Sequence, residues 1–176
     1  SNGDIYTIDA DGTGLARLTL SIGTDNEPTW SPDGTEVAFV SYGVEDRFGA
    51  VYVVGADAHG RRRLSDEIPH PQGLEWSPDG GTVALVGNRI HLMDVRDGTV
   101  ASLPTVDDEG NVLQSRRAQE VTWSPDSSRL AFGTGRGLYV LDLSTGREAQ
   151  LVTTDSDVDD AEWSPDGRAI AFSMDG

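Results

Sequence analysis

Trp30-Ser31-Pro32-Asp33-Gly34 returns as Trp76-Ser77-Pro78-Asp79-Gly80, as Trp123-Ser124-Pro125-Asp126 and as Trp163-Ser164-Pro165-Asp166-Gly167. Successive tryptophans are 46, 47 and 40 residues apart, and the path from Trp163 to Gly176 and on from Ser1 to Trp30 adds 43. A period of this size is the signature of a repeat architecture. Ser, Pro, Asp and Gly in that order are what a type I turn prefers at its four positions, so each copy is expected to join two antiparallel strands. Ser127 replaces the glycine in the third copy. If that position needs positive φ, the replacement costs about 1 kcal/mol.

Register extends the repeat beyond the turn. Ala38-Phe39, Ala84-Leu85, Ala131-Phe132 and Ala171-Phe172 all stand eight and nine residues after their tryptophan. Third strands align as Ile5-Tyr6, Val51-Tyr52, Ile90-His91 and Leu138-Tyr139, so His91 takes a tyrosine's place and reads as a polar-tipped filler rather than a metal ligand or base. Alternating strands at 4 to 8 and 16 to 19 flank the turn Asp9-Ala10-Asp11-Gly12, and no segment carries sustained helical periodicity. The fold class is all-β: a β-propeller of four-stranded antiparallel blades, four per chain. The expected blades are 26-65, 72-103, 119-152, and 159-176 completed by 4-19, within one domain spanning 1-176. The fourth blade would be closed by strands from both termini, which hides sheet edges that otherwise invite aggregation. Closure within one chain, giving four blades, is slightly preferred; two chains exchanging halves would close an eight-bladed homodimer by the same local pairings, and the third alternative is that the chain is part of a longer natural propeller.

The repeated Trp-Ser-Pro-Asp-Gly, followed by an Ala-Phe strand, an Ile-Tyr strand, an Asp-Gly turn and an Arg-Leu-Thr strand, resembles the WD-like propeller repeats of TolB-type proteins. The resemblance covers the whole chain. It implies the fold, and a periplasmic or extracellular location if the likeness extends that far. Similar blades occur in TolB-like periplasmic proteins, in propellers attached to prolyl-oligopeptidase-like peptidases and in some polysaccharide lyases, so the fold leaves function open. TolB-like propellers usually have six blades, whereas this sequence carries four motifs.

The formal charge is −17, from 30 acidic and 13 basic residues, and every basic residue is Arg. Such a field disfavours nucleic acid as a partner. Arg61-Arg62-Arg63 reads as one strand with alternate faces solvated and paired, not as a phosphate site. No apolar run approaches the roughly 18 residues of a membrane span. The absence of cysteine excludes disulfides and thiolate metal sites without selecting a compartment. Ser1-Asn2-Gly3-Asp4 carries no leader pattern and reads as a mature start or a domain boundary.

In an up-and-down blade the Ser-Pro-Asp-Gly and Asp-Gly turns share one end, and the irregular connections 41–50, 66–72, 104–118 and 153–158 share the other. Variable loops on a rigid scaffold are where binding is usually placed. That end is acidic, and the expected partner-binding residues are Asp25, Glu27, Asp107, Asp108, Glu109, Glu120, Asp157, Asp159 and Asp160. Three residues before each tryptophan stand Glu27, Gly73, Glu120 and Asp160, which would ring the channel mouth. Converging carboxylates without lysine suit a basic protein or peptide, or a hard cation; Glu27, Glu120 and Asp160 are the candidate metal ligands, with calcium as the candidate ion and no cofactor required. The plain alternative is a solvated acidic rim.

No catalytic constellation is evident. Asp9-Ala10-Asp11-Gly12 lacks the later positions of a calcium loop, Gly133-Thr134-Gly135-Arg136-Gly137 has no helix to hold phosphate, and each Ser-Pro-Asp belongs to a structural turn. The expected function is a non-enzymatic scaffold that binds a protein or peptide on its acidic face. The alternatives are the propeller portion of a larger peptidase or carbohydrate-active enzyme, or an engineered or truncated repeat assembly with no activity of its own.

Overall fold

A computed structural model describes residues 3–43, 48–65, 73–86, 90–102 and 120–174. Sixteen strands are present among them. The first pair is β1 (Tyr6–Thr7) and β2 (Ala16–Arg17). The first complete blade contains β3 (Thr24–Trp30), β4 (Glu36–Tyr42), β5 (Ala50–Gly55) and β6 (Arg62–Arg63). The second contains β7 (Gly73–Trp76), β8 (Thr82–Val86), β9 (His91–Asp94) and β10 (Val100–Ser102). The third contains β11 (Thr122–Trp123), β12 (Arg129–Thr134), β13 (Gly137–Asp142) and β14 (Glu148–Thr153). The last pair is β15 (Val158–Trp163) and β16 (Ile170–Met174). Every strand pairs antiparallel with its sequence neighbour, which is the up-and-down meander of a propeller blade.

The repeated turn is built by its serine. Ser31 Oγ donates to Asp33 Oδ1 at 2.7 Å and accepts the Glu36 amide at 3.0 Å. Ser77, Ser124 and Ser164 repeat both contacts, so one hydroxyl locks the turn to the strand that follows it. Gly34, Gly80 and Gly167 take φ near +70°, and Ser127 is forced to +59°. The fourth turn position therefore does require the left-handed region. Ser127 offsets part of that strain, since its Oγ accepts the amide of Asp79 from the neighbouring blade at 3.1 Å.

Blades adhere through apolar faces. Ala38, Val51, Val53 and Leu64 of the first blade meet Trp76, Val83, Leu85 and Met93 of the second. Ala84 and Val86 of the second meet Trp123, Leu130, Phe132 and Tyr139 of the third. The buried indoles are also tied to the preceding blade: Trp76 Nε1 donates to the Thr29 carbonyl, and Trp123 Nε1 to the Glu75 carbonyl, each at 3.2 Å. Arg62 reaches across to the Val95 carbonyl and to Glu36, while the Arg61 guanidinium lies 4.3 Å from the Tyr52 ring centre. Both arginines thus serve packing, as their strand context suggests. His91 is half-buried opposite Leu85.

One expectation is corrected. The two terminal pairs form separate two-stranded sheets, so the described residues hold three complete blades and two half-blades, and β1 and β16 do not pair into one closing blade. The N-terminal pair is held on the first blade by Ile5 and Leu18 against Val37, Phe39 and Val54. The C-terminal pair instead packs along β11 and β12 of the third blade. Each half-blade is anchored by the blade beside it, at opposite ends of the row.

Candidate functional site

The inner strands β3, β7, β11 and β15 converge on one open cavity of about 580 Å³. Among the described residues its wall is formed by Glu27 and Pro28, by residues 73–75, 120–122 and 160–162, and by Val86. The structure therefore gathers Glu27, Gly73, Glu120 and Asp160 around one space. Among the described residues every charged side chain in the wall is acidic: Glu27, Glu75, Glu120, Asp160 and Glu162. A smaller recess of about 250 Å³ adjoins it, lined by Glu120, Asp159 and Asp160.

Local backbone geometry aims two of these carboxylates. Register shifts by one irregularity between Asn26 and Thr29, and again between Asp159 and Glu162. Within these bulges Glu27 has φ +53° and Asp160 has φ +52°. A left-handed non-glycine residue costs about 1–2 kcal/mol. Bulges of this kind re-aim a side chain. Asp160 accepts a hydrogen bond from Ser173 Oγ at 3.2 Å.

Glu75 and Glu162, each one residue before its tryptophan, were not singled out by the sequence pattern. The signal was present, because residues two apart on a strand share a face. Glu75 is only partly solvated, and burial pushes its carboxyl from 4.5 up to about 7; the Glu120 and Glu162 charges add to the rise, while a backbone hydrogen bond from Trp123 opposes it. The cavity thus holds a carboxyl that titrates near neutrality, which an incoming cation would drive to its ionised form.

The remaining candidates separate. Asp25 is 4% exposed and accepts hydrogen bonds from Ser21 Oγ and Ser41 Oγ, both at 2.6 Å. It is an internal brace, and its place on the rim is withdrawn. Asp157 is exposed before β15, and Asp159 is half-buried opposite Ser173. Asp107, Asp108 and Glu109 lie outside the described residues. Among the described residues no three His, Asp or Glu side chains converge closely enough to hold a metal ion, so Glu27, Glu120 and Asp160 share the cavity without forming a closed cage. Among the described residues no helix is long and apolar enough to cross a membrane.

Residues 86–174, just over half of the chain, match the family described as the dipeptidyl peptidase IV (DPP IV) N-terminal region. The chain belongs to that family. Over a shorter stretch it is similar to a TolB homologue of Chlorobium luteolum, with 53% identity across 38 residues, 22% of this chain and 9% of that protein. Among solved structures, TolB from Acinetobacter baumannii superposes with a TM-score of 0.69 at 23% identity, over 95% of this chain and 42% of that one. The tricorn protease superposes with a TM-score of 0.78 at 13% identity, over 98% of this chain and 17% of that one. The fold is that of the TolB-like propellers, and the chain spans less than half the length of each of these relatives.

Proposed function

We propose that this chain is a non-enzymatic propeller scaffold that binds a basic protein or peptide segment at the acidic mouth of its axial cavity. The observation that carries the reading is the wall of that cavity, where inner strands from all four repeats contribute and where, among the described residues, Glu27, Glu75, Glu120, Asp160 and Glu162 are the charged side chains. An extended segment presenting Arg or Lys would replace mutual carboxylate repulsion with charge-assisted hydrogen bonds. Calorimetric titration with an arginine-rich peptide tests this. Binding is expected to weaken at least about tenfold in the triple variant Glu27→Gln, Glu120→Gln, Asp160→Asn, and to weaken with added salt. Equal affinity in both proteins would refute the site.

Calcium is a second candidate occupant of the same mouth, reached by its separated carboxylates through bridging water, since no three of them converge among the described residues. Calcium is expected to raise the melting temperature of the parent chain but not of that triple variant; no rise in the parent removes it. A different reading, the propeller portion of a larger enzyme, is favoured by the family description and by the match to a small part of the tricorn protease. A hydrolase or lyase domain in the same polypeptide would establish it, with the cavity then serving substrate passage or binding.

A further inference from the structure

The second blade departs from its neighbours at the cavity. Where Glu27, Glu120 and Asp160 stand three residues before their tryptophans, β7 carries Gly73. Neither a tight approach nor a left-handed backbone calls for glycine there: its φ is not positive, and among the described residues a Cβ built on Gly73 would meet only Val86, at 4.0 Å. The register of β7 on β8 is unbroken, with Gly73 opposite Val86 and Glu75 opposite Ala84, whereas β3 and β15 are irregular at the matching point. Gly73 and Glu75 therefore share one face of a regular strand, and the absent side chain leaves a slot beside Glu75 on that face.

The surroundings of the slot define what it can take. Val86 and Val121 in the same wall give it apolar sides, which suit the methylene stem of a long side chain. Glu75 is half-buried, while the other four acidic side chains of the wall are exposed. We infer that the Gly73 slot admits one cationic side chain of the bound segment to Glu75, and that its capture releases a proton from the Glu75 carboxyl. This rests on the proposed binding of a basic segment at the cavity and gives one of its side chains a place.

Among the described residues every charged group facing Glu75 across the cavity is acidic: Glu27 from β3, Glu120 ahead of β11, and Asp160 and Glu162 from β15. The strand β8, which pairs with β7, carries no charge. Burial, reinforced by the Glu120 and Glu162 charges, lifts the carboxyl to about 7 against a hydrogen bond from the Trp123 backbone. A cation in the slot supplies the opposite charge and hydrogen-bond donors, both of which favour the ionised form. The carboxyl O–H bond breaks, its electron pair stays on the oxygen, and the proton passes to water. Because the free protein holds that proton below pH about 7 and the complex does not, affinity rises with pH up to that value and is level above it.

Calorimetric titration with an N-acetylated arginine-rich peptide, in buffers of different ionisation enthalpy, counts the protons released per peptide bound. Arginine keeps its charge throughout, so the peptide contributes none. The parent is expected to release about one proton at pH 6 and almost none at pH 8, and to bind about tenfold more tightly at pH 8. Glu75→Gln, which carries the neutral form permanently, is expected to bind at both pH values with the parent's pH 6 affinity and to release no proton. Gly73→Val fills the slot without changing charge and suits a strand. It is expected to keep the parent's melting temperature or raise it, to weaken binding at pH 8 at least about tenfold, and to abolish proton release at pH 6. Binding by the parent without proton release, or release that persists in Glu75→Gln, overturns the coupling while leaving the basic segment at the cavity. Undiminished binding by folded Gly73→Val overturns the slot. Absence of binding by the parent at both pH values refutes the cavity as a binding site, and the slot with it. Carbon-detected NMR of the free protein is a check that needs no peptide: a Glu75 carboxyl that titrates at 4.5 overturns the proton release.

Discussion

Replacing Glu75 by Gln should stabilise the protein at pH 8 and leave it almost unchanged at pH 4. In the folded chain burial, reinforced by Glu120 and Glu162, lifts the Glu75 carboxyl from 4.5 to about 7. A carboxyl raised on folding binds its proton more tightly in the native state, so its ionisation opposes folding. The penalty is absent below pH about 4.5, grows between there and about 7, and is complete above. The separation between those two values corresponds to about 3 kcal/mol at 1.36 kcal/mol per pH unit. Partial solvation of Glu75 reduces the realised effect to about 2 kcal/mol. Glutamine keeps the shape and the capacity to accept the Trp123 hydrogen bond while removing the charge. For a domain of this size the gain at pH 8 corresponds to a rise of about 4–8 °C in melting temperature. Calorimetric scans of both proteins from pH 4 to pH 8 give the comparison. A gain that is the same at both ends of the range would refute the electrostatic origin, and a loss at pH 8 would show that the ionised carboxylate is itself stabilising.

Ser127→Ala should cost about 1 kcal/mol, because it keeps the left-handed φ and loses the bond from the Asp79 amide; Ser127→Gly relieves the strain but loses the same bond, and should fall within about 0.5 kcal/mol of the parent in urea titrations. Trp123→Ala should cost about 3–5 kcal/mol by the same assay, whereas Trp30→Ala, at a half-exposed site, should cost the single chain about 1 kcal/mol or less. Ser124→Ala should return the Asp126 carboxyl from about 2 toward 3.8, since the Ser124 hydroxyl is the largest of the hydrogen bonds that hold it down. Carbon-detected NMR titration measures this directly. With Ser124 present, the stability linked to Asp126 is complete above pH 3.8 and is lost as pH falls toward 2.

The propeller was legible because its determinants are local and repeated. Ser, Pro, Asp and Gly fix the turn, and the distance from each tryptophan to its Ala-Phe pair fixes the register that Phe39–Tyr52 and Phe132–Tyr139 display. That Glu27, Glu120 and Asp160 line one cavity follows from the same spacing. What could not be read was whatever depends on depth. Asp25 looks like one more rim carboxylate until Ser21 and Ser41 are seen to enclose it. Glu75 was passed over although it shares a strand face with Gly73, because a glycine in the expected acidic position hid the alternation in that blade. Closure was misjudged for a related reason. Local pairing rules are identical within and between chains, and only the packing of Ile5 and Leu18 on one blade and β15 on another separates the two ends.

The account turns on which end of the propeller receives a basic segment. Titration of isotopically labelled protein with an arginine-rich peptide, followed by amide chemical shifts, distinguishes the ends residue by residue. The expected result is a saturable set of shifts at Glu27, Glu75, Glu120, Asp160 and Glu162, with the turn residues Asp33, Asp79, Asp126 and Asp166 unmoved. Shifts confined to those turns, or a weak drift spread over every surface carboxylate, would contradict the axial cavity as the binding site.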